Sequence, residues 1–213
     1  MSDALTNDLE VLEAWRQGDR SAGDQLMRRH YTSVLRFFEL KATAAADDLT
    51  QRTFLACVEG RERFRGEGSF KSYLFGIARM LLLEFLRKRT RDARLVRFGE
   101  EDGGPAVTRL STVVSRHQEQ QLLLRALVAL PTDMHVALQL YYWEGMPTAD
   151  IGHALEIPKS TVTTRLARAR EQLRRSLETL AKPGPVRDRL MSDLEGWTRS
   201  IAATAPSPSP ASG

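Results

Sequence analysis

Cysteine is almost absent from this sequence, with Cys57 as the single one among 213 residues. A lone cysteine excludes an internal disulfide, which fits a reducing compartment, and we expect Cys57 to be a small core residue. Long apolar runs are also missing, because no stretch approaches the roughly 18 residues needed to cross a bilayer. The first ten residues contain three acids and no apolar segment, so they predict no secretory signal. We therefore expect a cytoplasmic protein without membrane insertion.

Patterns typical of catalysis are missing too. The four histidines are scattered, and none belongs to a zinc-binding pattern such as H-E-x-x-H. The sequence contains neither a phosphate-binding P-loop nor a dinucleotide-binding glycine fingerprint. We therefore predict no catalytic residue, no metal site and no cofactor, and we do not expect an enzyme.

The charges that are present lie in separate blocks, although the formal net charge is only +4. Residues 61–100 contain 11 Lys and Arg against 5 Asp and Glu, and residues 158–175 contain 6 against 1. An excess of acids precedes each basic block. Since the neutralisation of phosphates takes clustered cations, the two basic blocks predict two contacts with a polyanion. The acidic blocks suit a protein partner.

The first part of the chain has the apolar periodicity of helices. Residues 8–62 predict three helices, with a break between the first two at Gly18-Asp19. Asp47 and Asp48 lie in the first turn of the third helix, where the helix dipole favours acids. On the residues alone, this pattern is typical of a helical bundle core.

A glycine-containing loop and a basic helix follow. The loop spans residues 64–70, and Ser69 can cap a helix from about Phe70 to Arg91. Tyr73 lies among basic residues of that helix. Such a combination suits single-stranded DNA, because bases stack on aromatic rings while cations follow the backbone. Half-buried packing of the Tyr73 ring is the alternative interpretation.

Periodicity is lost in residues 93–117, which predict a polar, flexible linker. A second helical unit follows at 118–180. The remaining residues, 181–213, form an extension in which residues 185–201 have the spacing of one amphipathic helix. The end is rich in proline and serine and predicts a disordered tail.

The second unit contains the pattern of a helix-turn-helix. Thr148 can cap a short apolar helix, and Ile157-Pro158 ends it, because proline disfavours a helical residue before it. Ser160 can cap the following helix, which is apolar on one side and basic on the other. The pattern leaves open an ordinary helical hairpin with a solvated basic face.

The run from Leu130 to Arg170 resembles region 4 of bacterial RNA polymerase sigma factors of the extracytoplasmic-function (ECF) subfamily of the sigma-70 family. Residues 47–55 and 69–79 are similar to regions 2.2 and 2.3–2.4 of the same family. The matching region 4 motifs are Leu130-Pro131, Tyr142-Trp143-Glu144-Gly145, Asp150-Ile151, Ile157-Pro158, Thr161-Val162, Arg165-Leu166 and Arg168-Ala169-Arg170.

The resemblance implies an all-α fold of two small helical domains joined by a flexible linker. Residues 8–92 would be the region 2 bundle, and residues 118–180 the region 4 helix-turn-helix. The implied function is that of an initiation factor that directs polymerase to promoters by reading −35 and −10 elements and helping strand opening. The implied partners are core RNA polymerase, through its β′ clamp helices and β flap, promoter DNA and an anti-sigma factor.

The resemblance also implies three sets of contact residues. Polymerase binding is expected at Asp47, Asp48, Gln51 and Phe54. Contacts with the −10 element are expected at Phe64, Arg65, Gly66, Lys71, Tyr73 and Arg79. Contacts with the −35 element are expected at Lys159, Ser160, Thr161, Thr163, Thr164, Arg165, Ala167, Arg168 and Arg170. Among them, the resemblance implies base reading by Thr163, Thr164, Ala167 and Arg168, while Lys159, Arg165 and Arg170 suit phosphates.

The sequence departs from the family pattern at a few positions. Arg52 replaces a residue that is more often acidic, and Tyr73 replaces a tryptophan. Met80 replaces an asparagine, so that residue's role in reading the −10 strand is not transferred. Thr163 stands where a basic residue is common, and Glu156 where glycine is common.

Two alternatives share part of this pattern. A one-component transcription regulator would use the same helix-turn-helix, but it would have no reason to contain residues 47–55 and 64–91. An adaptor that has lost promoter binding would keep only the contacts with proteins.

Overall fold

The computed structural model describes residues 3–64, 66–96 and 118–180, and the isolated positions 188, 192 and 196. Every regular element in these residues is helical, which confirms the all-α prediction. The predicted linker is described only where α4 extends into it, and most of the predicted helix at 185–201 lies outside the described residues. The helices are α1 (Asp3–Arg16), α2 (Arg20–Ala42), α3 (Ala46–Gly60), α4 (Phe70–Val96), α5 (Gln118–Ala129), α6 (Thr132–Tyr142), α7 (Thr148–Leu155) and α8 (Lys159–Leu180).

The contacts divide the chain into two units, Met1–Phe98 with Pro147–Lys159, and Gly99–Met146 with Ser160–Gly213. In the first unit, α2 packs against α1, α3 and α4. Phe37 of α2 lies 5.4 Å from the Phe75 ring of α4, and both rings are fully buried. Burial of a side chain of this size contributes about 1.5–3 kcal/mol, so these rings anchor α4 in the bundle.

The predicted break between α1 and α2 is present. Gly18 has a φ of +103°, which favours glycine. The carboxylate of Asp19 accepts hydrogen bonds from the backbone amides of Ser21 at 2.8 Å and Ala22 at 3.3 Å, and so caps α2. Cys57 is fully buried, and its burial raises the pKa of the thiol to about 12. The prediction that it is a core residue is confirmed.

α1 is tied to α2 by a buried polar cluster that the sequence pattern did not indicate. Asp8 accepts a hydrogen bond from Nε2 of His30 at 2.7 Å and another from Arg29. Burial alone would raise the pKa of Asp8, but the hydrogen bonds and charges of His30 and Arg29 outweigh it, so the pKa lies below its ordinary value. The ionised form of Asp8 is therefore favoured in the folded state.

In the second unit, α5 and α6 bury their apolar sides together with one side of α8. Arg170 of α8 donates from Nε to the hydroxyl of Tyr142 at 2.7 Å. The buried His135 ring lies with Nδ1 3.1 Å from the carbonyl oxygen of Leu127. The buried side of α8 consists of Val162, Leu166, Ala169, Leu173 and Leu177.

The helix ends around α7 differ from the predicted ones. α7 begins at Thr148 itself, and no side chain caps it, so the prediction of a Thr148 cap is wrong. The residue at the N-cap position is Pro147, whose side chain has no hydrogen-bond acceptor. α8 begins at Lys159, so Ser160 lies inside the helix and is not its cap.

The end of α7 explains why glycine is common at position 156. Glu156 has a φ of +55°, in the left-handed region. Its amide donates to the carbonyl of His153 at 3.3 Å, and the amide of Ile157 donates to Gly152 at 3.0 Å. These two bonds form a Schellman motif, which places its left-handed residue at this position. The predicted stop at Ile157-Pro158 is confirmed.

A first prediction concerns the pH dependence of stability. Because the pKa of Asp8 is lowered by folding, its contribution is present above its unfolded pKa near 3.8 and is lost as pH falls through the folded value. Asp8→Asn removes the charge and should destabilise the protein at pH 7, and the difference from wild type should shrink below about pH 4. Urea unfolding at pH 7, 5 and 3.5 measures both. A difference independent of pH would contradict the prediction.

A second prediction concerns Glu156. The left-handed backbone conformation costs an L-residue about 1–2 kcal/mol, and glycine avoids this cost. Glycine also increases the conformational entropy of the unfolded chain, which offsets part of the gain. Glu156→Gly should therefore raise the free energy of unfolding by about 0.5–1 kcal/mol. Glu156→Ala is the matched control, since it removes the same charge but keeps the Cβ. Equal stability of the two variants in chemical denaturation would show that the backbone is not strained.

Candidate functional site

The first candidate surface is the outer side of α3. Asp47, Asp48 and Gln51 are all exposed there. Thr50 and Thr53 lie on the opposite, buried side. Their hydroxyls donate to backbone carbonyls one turn earlier, each at 2.7 Å. The helix therefore presents its acids outward and satisfies its buried hydroxyls internally.

Apolar and charged groups border these acids. Phe54 is half-buried and stacks on Tyr31 with ring centroids 6.0 Å apart, while Leu55 is 58 % exposed. Arg52 lies 4.0 Å from Asp48 and 3.5 Å from Glu84. These ion pairs are exposed and contribute little to stability. Together the groups form a mixed apolar and acidic patch, which suits a protein partner better than a polyanion.

The acidic character extends to the end of α2. Burial raises the pKa of Glu39, Arg36 lowers it, and the nearby charge of Asp47 raises it further. The net result is a pKa above the ordinary value. Its environment therefore favours the protonated form of Glu39 more than exposure to water would.

The second candidate surface consists of the loop before α4 and the start of that helix. Gly66 and Gly68 have φ values of +77° and +86°, so the two glycines have the conformational role expected of them. Ser69 accepts a hydrogen bond from the Ser72 amide at 3.2 Å and so caps α4, which confirms that prediction. Arg65 lies outside the described residues.

The aromatic residues of this surface are packed together rather than exposed. Phe64 is only 6 % exposed, and its ring lies 5.2 Å from that of Tyr73. Tyr73 is half-buried and also lies 6.5 Å from Phe70. Its hydroxyl is so close to Gly60 that a Cβ there would approach it to 2.5 Å. For Phe64 to stack on a base, its ring would have to leave this cluster.

Cations and one exposed thioether continue along α4. Lys71 and Arg79 are half-buried, and the Lys71 ammonium lies 6.0 Å from the centre of the Phe75 ring. Met80 is 58 % exposed. The consecutive cations Arg87, Lys88 and Arg89 are exposed.

α7 lies against α4 within the first unit. A Cβ added to Gly76 would stand 3.6 Å from the carbonyl oxygen of Ala154, an ordinary van der Waals distance, so the two helices are in contact at this point. A cavity of about 740 Å³ opens beside the contact and is lined by Tyr73 and Arg79 from α4 and by His153 from α7. A nucleic-acid strand that reached this part of α4 would meet α7 residues as well.

The third candidate surface is the outer side of α8. Its exposed residues share one face, opposite the buried apolar side. Most of the predicted −35 contacts belong to it, and Arg165 and Arg170 are half-buried instead. The exposed members are Lys159, Ser160, Thr161, Thr163, Thr164, Ala167 and Arg168.

Arg170 has an intramolecular role that the sequence did not reveal. In addition to its bond with the Tyr142 hydroxyl, its guanidinium lies 5.9 Å and 5.8 Å from the rings of Tyr141 and Tyr142. Cation–π contacts of this kind stabilise by about 0.5–2 kcal/mol. The arrangement indicates that Arg170 holds α8 to α6, while a phosphate contact for it remains a prediction.

Two further features bear on chemistry. In the described ranges, His, Cys, Asp and Glu form no group of three that could hold a metal ion. No helix in the part of the chain that the structure describes is long and apolar enough to cross a membrane.

Two family models match this chain. Residues 25–92 match Sigma-70 region 2, and residues 120–173 match Sigma-70 region 4. Together they cover the helices that present all three candidate surfaces. A one-component regulator would need only the second of these regions, so the region 2 match argues against that alternative.

Known relatives and solved structures agree with these matches. The ECF RNA polymerase sigma factor SigM of Mycobacterium tuberculosis is 32% identical over 173 residues, which are 80% of this chain and 85% of the relative. The ECF RNA polymerase sigma-E factor of Escherichia coli K12 is 24% identical over 191 residues, 85% of this chain and 100% of the relative.

Two solved sigma factors have a similar fold. The factor RpoE in complex with the anti-sigma factor NepR, from Bartonella quintana, aligns with a TM-score of 0.58 at 22% identity over 73% of this chain and 96% of that one. CnrH in complex with the cytosolic domain of CnrY aligns with a TM-score of 0.57 at 22% identity over 81% and 98%. On the family models and the relatives together, this chain belongs to the extracytoplasmic-function sigma factors of the sigma-70 family, the initiation factors that bind RNA polymerase and direct it to promoters.

Proposed function

We propose that this sigma factor uses its three surfaces for three separate contacts. The outer side of α3 binds the β′ clamp helices of core polymerase, the loop and start of α4 bind the −10 strand, and the outer side of α8 reads the −35 duplex. The observation that carries the proposal is the division of α8 into a buried apolar side and an exposed side of threonines and Arg168. Such a side can enter a major groove without disturbing the core.

The polymerase contact follows from what α3 exposes. Asp47, Asp48 and Gln51 are polar and open, and Leu55 adds exposed apolar area next to them. Interfaces of this kind combine an apolar centre with a charged rim that sets specificity. We assign Phe54 to the centre, because its packing on Tyr31 holds it at the surface in one orientation.

The strand contact follows from the composition of α4. The exposed cations Arg87–Arg89 can follow a backbone, and Tyr73 offers a ring for stacking. Because Phe64 and Phe70 flank the Tyr73 ring, a base would reach only the side of it that is open to solvent. The proposal therefore gives Phe64 the task of supporting Tyr73, and Lys71 and Arg79 the task of binding phosphates.

The arrangement of the chain and its control complete the proposal. We propose the boundaries expected from the sequence, with region 2 at 8–92, a flexible linker at 93–117 and region 4 at 118–180, and an additional contact of region 4 with the β flap. We also propose that the protein works in the cytoplasm under an anti-sigma factor. The two structural neighbours are sigma factors bound to anti-sigma partners, which supports this class of partner.

A third prediction tests the polymerase surface. Replacement of both Asp47 and Asp48 with lysine should weaken binding to core polymerase at least about tenfold, since like charges across an interface are costly. Neither side chain is buried, so the fold should be unaffected. The matched control reverses Asp24 and Asp92, two exposed acids elsewhere in the first unit. Fluorescence anisotropy against core enzyme measures the affinities. Equal losses in the two double variants would remove α3 from the interface.

A fourth prediction separates the two DNA contacts. Arg168→Ala should lose about 1–3 kcal/mol of preference within the −35 element but leave strand opening intact once polymerase is bound. Tyr73→Ala should leave duplex binding intact and reduce opening, because a stacking partner of about 1–3 kcal/mol is lost. Permanganate footprinting on one −10/−35 promoter with core polymerase measures both effects.

Each of the two substitutions has a matched control. Arg174→Ala removes an exposed arginine of α8 that pairs with Glu178 at 3.7 Å, and it should change neither step. Tyr73→Phe keeps the ring and should preserve opening. If Arg168→Ala and Tyr73→Ala produced the same defect, the division of tasks would be wrong. A wild-type chain that binds polymerase but opens no promoter would favour the adaptor alternative.

A further inference from the structure

α1 contacts the segment that leads into the loop before α4. Arg16, at the end of α1, donates from Nε and Nη2 to the carbonyl oxygen of Arg61 at 3.1 Å and 2.7 Å, and from Nη2 to the carbonyl of Phe64. Its guanidinium also lies 5.9 Å from the centre of the Phe64 ring. Carbonyls at the end of a helix lack partners within that helix. Arg16 supplies such a partner and fixes the first end of the loop.

A second contact reaches the other end of the same loop. The Asp8 carboxylate of α1, with only 6 % of its side chain exposed, binds Nε2 of His30 at 2.7 Å. The His30 ring lies 5.6 Å from that of Phe70, the first residue of α4. Phe70 is 1 % exposed. Asp8 therefore orients His30, and His30 supports the residue at which the loop ends.

The position of α1 is itself determined by close packing on α2. A Cβ at Gly23 would fall 2.5 Å from Nε1 of Trp15, so only glycine leaves room for this ring. The same Trp15 ring also contacts Arg61, whose guanidinium lies 5.5 Å from the centre of the ring. Trp15 thus links α2 to the same segment that Arg16 binds.

We propose that α1 acts as a clasp that holds both ends of the −10-reading loop, with Arg16 and Asp8 as positioning residues for promoter selectivity. The proposal rests on the proposed function, since it assumes that this loop and Tyr73 contact the −10 strand. α1 precedes the residues that match region 2, which begin at 25. The clasp matters because the loop contains two glycines with positive φ, and glycine has the widest choice of backbone conformations. Fixed ends restrict that choice and keep the recognition geometry.

A purely structural role of α1 makes a different prediction. If the clasp only stabilised the bundle, its loss would lower the amount of active protein and reduce initiation at every promoter by the same factor. If it positions the loop, its loss changes the ratio of activities between −10 sequences, because small displacements of a recognition group weaken the favoured complex most.

The test begins with the wild-type chain and core polymerase, which select preferred −10 sequences from a randomised promoter library. Arg16→Ala and Asp8→Asn are then compared on the selected promoter and on single-base −10 variants of it. We expect each substitution to reduce the preference for the selected sequence about tenfold, with affinity for core polymerase unchanged. Arg28→Ala is the matched control, because the Arg28 side chain is 82 % exposed and pairs with Asp24 of the same helix at 3.0 Å. It should keep the preference within about twofold.

A second measurement needs no polymerase. Hydrogen exchange of the amides in residues 64–72 should become faster in Arg16→Ala and Asp8→Asn, while α3 and the second half of α4 should keep their wild-type protection. Arg16→Lys keeps the charge but not the planar fork of donors, so it should lie between wild type and Arg16→Ala. It also serves as the milder variant if Arg16→Ala fails to fold.

The outcomes are distinct. Unchanged −10 preference, or a loss spread evenly over all promoters, would overturn the clasp while the proposed function stood. Unchanged exchange in residues 64–72 would overturn it as well. If the wild-type chain selected no −10 sequence, the proposed function would fail, and the exchange measurement would still decide whether α1 holds the loop.

Discussion

The packing of α4 against α2 is the interaction on which the rest of the first unit depends. Phe37 and Phe75 are both fully buried and meet at 5.4 Å. Phe38 meets Phe37 edge-on at 5.2 Å, an arrangement that aromatic quadrupoles favour. Because α4 is held by this side, the positions of its opposite side and of its N-terminus depend on this packing as well as on the Ser69 cap. Replacing the buried rings would therefore disturb the Tyr73 cluster and the exposed cations together.

The residues of the three candidate surfaces differ in exposure because the packing of the core leaves different parts of each element at the surface. α3 and α8 each bury one side, so most of their candidate contact residues share the opposite face and are exposed, while Phe54, Arg165 and Arg170 are half-buried. The loop before α4 has no such division, because it is not helical and so has no single buried side. Its aromatic residues are packed among one another, and the −10 contact that we propose depends on how much of the Tyr73 ring the cluster leaves accessible.

The sequence predicted the helices well because apolar spacing is a local property of helices. It also indicated the break at Gly18-Asp19, the Ser69 cap and the stop at Ile157-Pro158, each of which depends on neighbouring residues alone. The sequence predicts that α4 ends at about Arg91, five residues before its end at Val96 in the structure. The apolar spacing is a poor guide there, since the six residues 87–92 are all polar and interrupt it.

Contacts between distant residues could not be predicted in the same way. Asp8 and His30 are separated by 22 positions, and Arg16 and Arg61 by 45. Nothing in the local pattern of either residue distinguishes it from a solvated polar residue. A pairing of this kind becomes visible only when the bundle is assembled, as does the bond between Arg170 and Tyr142.

The cations of α8 show how contacts that the sequence does not reveal change an estimate of DNA binding. The basic block at 158–175 carries six Lys and Arg, and counted as phosphate contacts all six would predict a steep dependence of DNA binding on salt. The structure divides them differently. Arg170 binds Tyr142, Arg174 pairs with Glu178, and Arg175 pairs with Glu171 at 2.9 Å. At least half of these cations are therefore engaged with the protein itself. The duplex contact that we propose lies in the N-terminal half of α8, where Arg168 lies among threonines on the exposed side.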